Sequence, residues 1–282
     1  MTNSKKKMKY IKKILILFAM ICIYSIHSAL AQDRHFAWSY NSITLNKGAA
    51  DIEVWNTYSF GRDDYYYSLL HQRLEFEFGV TDKIQTSFYL NAKHQTIGPK
   101  DTTEFIGLLK TSSFSFSNAW KFYLLNPSIH PVGLGAYLEY YLAQGEIELE
   151  GKLMIDKFTP KSRYVLNSTF EYEIEFEPEQ ENGNVKNEIE KELKIENSLG
   201  YMFHPKPNFG LGLELVNMNA IHESDWEYST IYAGPSVFFS RERFFFIFNA
   251  MPQITNLVGE NKPLELDSQE RVLMRIFIGI TL

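Results

Sequence analysis

Residues 271–282 read Arg271-Val272-Leu273-Met274-Arg275-Ile276-Phe277-Ile278-Gly279-Ile280-Thr281-Leu282, and this stretch decides the fold class. In an extended chain Val272, Met274, Ile276, Ile278, Ile280 and Leu282 share one face, while Arg271, Arg275 and Gly279 lie on the other. A purely aliphatic face backed by guanidinium groups needs oil on one side and water on the other. The same alternation recurs upstream. Leu74, Phe76, Phe78 and Val80 oppose Arg73, Glu75 and Glu77, and Leu149, Leu153 and Ile155 oppose Glu148, Glu150 and Lys152. Phe170, Tyr172, Ile174 and Phe176 alternate with Glu171, Glu173 and Glu175, and Leu193, Ile195 and Leu199 alternate with Glu192, Lys194 and Glu196. About twelve such stretches recur at intervals of roughly twenty residues, with period two rather than the 3.6 of helices.

The chain has 282 residues, enough for one large all-β domain. Residues 1–31 carry six lysines and no acid, then the apolar run Ile14 to Tyr24, then Ala29-Leu30-Ala31. This is the layout of a secretory signal cleaved between Ala31 and Gln32. The remaining 251 residues hold 22 basic and 34 acidic groups, a net charge of −12 that argues against nucleic acid as a partner. Cys22, the single cysteine, lies within the leader, so thiol chemistry is excluded from the rest. No later apolar run approaches the ~18 residues of a membrane helix.

A soluble two-sheet protein would give the same alternation, with the outward Phe, Leu and Ile as its core. Three features favour an antiparallel, up-and-down transmembrane β-barrel over residues 49–282, with residues 32–48 as a periplasmic or lumen-entering extension. Even-numbered strands end in compact turns such as Gly79 to Lys83 and Thr159 to Ser162, whereas several odd-numbered ones end in longer polar loops: Gln95 to Thr103, Glu177 to Glu188, Ala220 to Asp225 and Asn256 to Glu270. Eight of the ten prolines fall in turns or loops; Pro235 and Pro252 fall within strands, where they should mark bulges or strand ends. Aromatic clusters at Tyr65 to Tyr67, Trp120 to Tyr123, Tyr137 to Tyr141, Trp226 to Tyr228 and Phe244 to Phe248 suit interfacial girdles. The long stretch from Glu104 to Leu125, and Ile189 with Leu193 at helical spacing, leave ten or fourteen strands open.

Glu75 to Gln85, which holds the turn Gly79-Val80-Thr81-Asp82, resembles the strand, turn and strand frequent in Gram-negative outer-membrane β-barrel proteins. Leu282 stands where that type commonly ends in Phe or Trp. Trp38 to Tyr40, Lys47-Gly48, Glu53, Trp55, Trp120-Lys121 and Pro131 to Gly133 are similar to an uncharacterised family of such barrels. The resemblance implies an outer-membrane location, contact with outer-membrane lipid and delivery to the barrel-assembly machinery through the last strand. It implies no reaction.

If the apolar faces meet lipid, Glu75, Glu77, Glu148, Glu150, Glu171, Glu173, Glu175, Lys152, Lys194, Arg271 and Arg275 line the lumen. A hairpin turning near Pro160 would place Glu148 and Glu150 beside Glu171 and Glu173, an arrangement that needs water, a cation or bases across the lumen. The leading expectation is porin-like passive transport of small solutes, cations among them, because rings of carboxylates select for positive charge; a divalent-metal site is the other functional reading of the same carboxylates, with no residue assigned as a ligand. The alternative is a structural or ligand-binding barrel filled by Glu–Arg and Glu–Lys networks, which conducts little. A lipid-modifying enzyme ranks below both: the six histidines after the leader sit in no nucleophile or metal spacing, and the Ser-rich run Ser112 to Ser117 reads equally well as lumen lining. No catalytic residue, metal ligand or cofactor is assigned. The glycines of Gly133-Leu134-Gly135 mark a bend or a close backbone approach rather than a phosphate loop.

Overall fold

The computed structural model describes residues 34–63, 65–99, 107–181, 184–222, 225–258 and 263–282. The expected leader lies outside these residues. The chain forms twelve antiparallel strands: β1 Ala50–Phe60, β2 Tyr65–Thr81, β3 Ile84–Pro99, β4 Leu109–Leu125, β5 Gly133–Ala143, β6 Glu146–Phe158, β7 Ser162–Glu181, β8 Asn184–Lys206, β9 Phe209–His222, β10 Asp225–Arg241, β11 Phe244–Asn256 and β12 Val272–Thr281. Each pairs with its neighbours in sequence, and β12 closes on β1 from Asp51↔Thr281 to Phe60↔Val272. Closure removes every sheet edge, which is what an apolar surround demands of a spanning sheet.

The outer face is the apolar half of each alternation. Leu74, Phe88, Leu90, Phe114, Leu149, Leu153, Leu199 and Leu213 are exposed on it, whereas Glu53, Glu75, Ser117, Asn167 and Glu214 are buried on the inner face. A continuous apolar outer face backed by buried charged side chains is the reverse of a soluble domain's surface, so a soluble sandwich does not describe this chain; Trp55, Met154, Ile247 and Phe277 add an apolar cluster inside.

The aromatic clusters divide between the two faces because successive side chains in a strand point opposite ways. Tyr66, Trp120, Tyr140 and Trp226 face out, but Tyr67, Tyr137, Tyr141 and Phe245 are buried inside. They furnish the interior as much as a girdle.

The two ends differ mainly in strand overhang. β7 and β8 have 20 and 23 residues where about ten span a bilayer, so most of the expected loop from Glu177 to Glu188 is strand. The expected loops at Gln95 to Thr103 and Ala220 to Asp225 shorten likewise, since β3 runs to Pro99 and β9 to His222. Ile189 and Leu193 sit in β8, not in a helix: a spacing of four is also two strand periods. The stretch ending at Leu125 is a single strand, β4. Near Pro235 and Pro252 the β10–β11 ladder lapses between Tyr232↔Gln253 and Ser236↔Asn249, with a register shift at Ile231/Tyr232. Between β5 and β6 the two-residue turn Gln144-Gly145 puts Gly145 at φ 82°, the left-handed region that such tight hairpins require.

Candidate functional site

Residues 34–45 run inside the barrel at the end of the compact turns, and all but Asn41 and Ile43 are buried. This segment forms no strand. Side chains of the wall pair with its backbone instead. Glu214 on β9 accepts the N–H groups of Ala37 (3.0 Å), Trp38 (2.8 Å) and Ser39 (3.0 Å). Asn167 on β7 accepts from the Tyr40 N–H at 2.6 Å and donates to the Tyr40 carbonyl at 2.8 Å. Asp156 on β6 accepts from the Ser42 N–H, and Gln85 on β3 from that of Leu45 at 2.8 Å. Buried backbone needs partners, and polar side chains on four strands supply them.

Side chains lock the segment further. The Arg275 guanidinium of β12 lies 3.6 Å from the Trp38 ring centroid and donates to the Ala37 carbonyl at 2.9 Å. Arg34 stacks 4.2–4.3 Å from the rings of Tyr40, Trp55 and Phe277. Wall glycines make room: a Cβ at Gly200 would stand 2.7 Å from the Phe36 ring, and one at Gly135 would stand 3.0 Å from the Ser42 backbone. The close approach expected for Gly133-Leu134-Gly135 is thus to this inner segment.

Toward the other end the lumen holds two cavities of about 180 Å³ and 250 Å³, which share Arg73, Glu150, Glu171 and Lys194. Trp38 and Tyr40 of the inner segment line the first. Both are smaller than the ~300 Å³ at which drug-sized sites begin, so they suit hydrated ions and small solutes. Their acids (Glu139, Glu148, Glu150, Glu171, Glu196) are matched in number by bases (Arg73, Lys93, Lys152, Lys194, Arg275). The acidic surplus lies outside them: Glu146, Glu173, Glu175 and Glu192 toward the mouth, and Asp51, Glu53, Glu75 and Glu77 beside the inner segment.

The register sets Glu148 opposite Glu173 and Glu150 opposite Glu171. Lys194 answers this crowding by reaching Glu171 (3.5 Å), Glu192 (3.1 Å) and Glu173, while Lys152 pairs with Glu150 at 3.0 Å. Glu175 stands nearer the mouth, opposite Glu146. Glu75 and Glu77 line neither cavity and are buried on β2 toward the compact turns. Arg271 is not in the lumen: it lies at the rim before β12, half exposed, paired with Asp63 at 3.1 Å. Its alternation with Arg275 is real, but the strand begins one residue later, at Val272.

Arg34, Asp51 and Asp156 were not singled out by the sequence reading. Asp51 stands two residues before Glu53 and Asp156 four beyond Lys152, at the ends of the clear alternations, and Arg34 precedes the barrel, where no period announces its partners. Of the Ser-rich run, Ser112 Oγ lies 2.8 Å from His94 Nδ1, but both belong to the outer face, and no acidic group bonds His94 among the described residues. A pair without an orienting group or an oxyanion donor is not a hydrolytic site.

The sequence matches the model of a family described as a family of unknown function, DUF6662, over residues 28–282. The chain belongs to that family. None of the curated proteins matches it by sequence. Among solved structures it is similar to an outer membrane channel from Pseudomonas putida F1, with a TM-score of 0.59 and 10% identity over 86% of this chain and 98% of that one. The NanC porin (TM-score 0.47, 8% identity, 82% and 100% covered) and the beta domain of the Bordetella autotransporter BrkA (0.49, 8%, 84% and 100%) are more distant. The first likeness shows the fold, that of an outer-membrane barrel, and agrees with the resemblance carried by Glu75 to Gln85.

Proposed function

We propose that this protein is a porin-like outer-membrane barrel that passes small solutes, cations in preference, and whose passage is closed by residues 34–45. The carrying observation is the way that segment is held. It is bound by side chains of Glu214, Asn167, Asp156 and Gln85 rather than woven into the sheet, so it can leave without breaking a strand ladder. Beyond it lie cavities of small-solute size and a mouth rich in glutamate, and acidic rings favour cations. In this reading residues 1–31 are a leader cleaved after Ala31, the outer face meets outer-membrane lipid, and β12 presents the chain to the barrel-assembly machinery.

The test is conductance in planar bilayers under a KCl gradient, comparing the mature chain with a variant lacking residues 34–45. The expected result is brief or absent current for the first and steady cation-selective current for the second, with selectivity falling when Glu148, Glu150, Glu171 and Glu173 become Gln. A silent truncated barrel that is correctly folded would overturn the proposal. It would favour the second reading, a non-conducting ligand-binding barrel, which the equal numbers of acids and bases around the cavities support.

A further inference from the structure

Beside the inner segment, the first hairpin buries four carboxylates on one face. In the β1–β2 register Asp51 stands opposite Glu77 and Glu53 opposite Glu75, and all four are between 0% and 4% exposed. One oxygen from each of Asp51, Glu53 and Glu77 lies within 4.8 Å of the others. Like charges directly opposed across a sheet repel, and buried carboxylates without donors are costly.

The bases nearby fall short of these charges. Arg34 reaches Glu53 at 3.5 Å. Lys121 faces Glu77 and Glu53 but also Asp156, and it donates to Asn41 at 3.5 Å. Among the described residues, these two bases stand against four acids.

An independent observation is Glu75 itself. It is fully buried, and among the described residues no amide, hydroxyl or basic group donates to either of its oxygens; its polar neighbours are the carboxyl groups of Glu53 and Glu77. Its charged surroundings are Glu53, Glu77, Asp51 and Arg34, so its carboxylate points into the acidic group rather than away from it. Both oxygens of Asp51 lack a donor at full hydrogen-bond geometry, with the Thr281 hydroxyl beside them. Surplus negative charge and a donor set of oxygen alone suit one hard divalent ion. A cage of protein carboxylates favours Ca²⁺, which takes six to eight oxygen ligands in flexible geometry, over Mg²⁺, which keeps several of its waters.

We infer that Asp51, Glu53, Glu75 and Glu77 form a calcium site that joins the first hairpin to the base of the inner segment. This is independent of whether the barrel conducts. Arg34 then completes the outer neutralisation of the site, so the ion and the inner segment stabilise one another.

The test uses full-length protein refolded in detergent and stripped with EDTA, titrated with CaCl₂ by calorimetry and melted with and without the ion. The expected result is one ion per chain, a raised melting midpoint, and affinity about tenfold or more weaker in Glu75→Gln. Glu171→Gln, among the acids lining the cavities, should bind calcium as the parent does. Terbium supplies a second readout: Trp55, inward on the same strand as Glu53, should sensitise its emission, and calcium should quench that emission by displacement. No heat and no midpoint shift in the parent would overturn the inference and assign shared protons to the four carboxylates. Equal loss in Glu171→Gln would overturn it in favour of diffuse binding by the lumen, and equal affinity for magnesium would overturn the choice of ion. If Glu75→Gln fails to fold, Glu53→Gln decides by the same measurements.

Discussion

Glu214 and Trp38 are joined where the wall of the barrel meets the chain inside it: the Trp38 N–H donates to Glu214 Oε2 at 2.8 Å. The same carboxylate takes the N–H groups on either side, and Ser236 Oγ donates to its other oxygen at 2.5 Å. One side chain therefore serves three successive backbone donors that no strand could reach.

Glu214→Ala should release this segment. It leaves three buried N–H groups without an acceptor, at about 1–3 kcal/mol for each one that water does not reach. The expected outcome is a lower midpoint in urea unfolding from detergent, together with new openings in bilayer recordings. Unchanged recordings with lowered stability would show that the segment closes nothing.

Gly200→Val should act from the opposite direction. A side chain there collides with the Phe36 ring at 2.7 Å and with Val165 at 2.8 Å, so the inner segment must move although none of its own residues has changed. Limited proteolysis near the N-terminus should become faster than in the parent, whereas the strand ladders, followed by amide exchange, should stay protected.

The barrel was legible in the sequence because lipid imposes one demand, an apolar side chain at every second position, that Val272 to Leu282 and Leu74 to Val80 satisfy without reference to anything distant. The contents of the barrel answer to no such period. Arg34 to Leu45 is buried apart from Asn41 and Ile43 and is enclosed by the wall, so its aromatic and small polar residues follow no period, and partners such as Gln85 and Glu214 lie 40 and 177 residues away. Glu75 and Glu171 look alike as glutamates on alternating strands. Only the register separates one that stands opposite Glu53 from one that stands opposite Lys194. Strand ends were misplaced at β7 and β8 because polar residues on both faces beyond the bilayer read as loop.

Arg62→Ala should loosen the chain that lies over the mouth. Arg62 donates to Glu270 at 2.8 Å and to Tyr65 Oη at 2.8 Å, and it stacks 3.9 Å from the Tyr67 ring. Burial works against its charge, but the bonds to Glu270 and Tyr65 more than offset this and hold its pKa above the ordinary value. Asp63 N–H meets the Leu266 carbonyl at 3.0 Å, and Leu266 itself is buried. Cutting the tie should cost about 1–3 kcal/mol locally and expose the segment around Leu266 to protease. Global stability should change little, because the strands do not depend on it.

The membrane reading makes a prediction that no soluble reading shares. Leu90, 63% exposed in the middle of β3, packs against no inner residue, and in water its replacement by arginine would be nearly neutral. In lipid the same change should cost about 2–4 kcal/mol if Leu90 lies near the bilayer midplane. Leu109→Arg, equally exposed at the start of β4 and close to the mouth, should cost about 0–1 kcal/mol because charge is tolerated near the interface. Reversible unfolding of both variants from lipid vesicles measures the difference. A large cost for Leu90→Arg with a small one for Leu109→Arg locates the apolar band around the barrel; equal costs would remove the outer face from the bilayer.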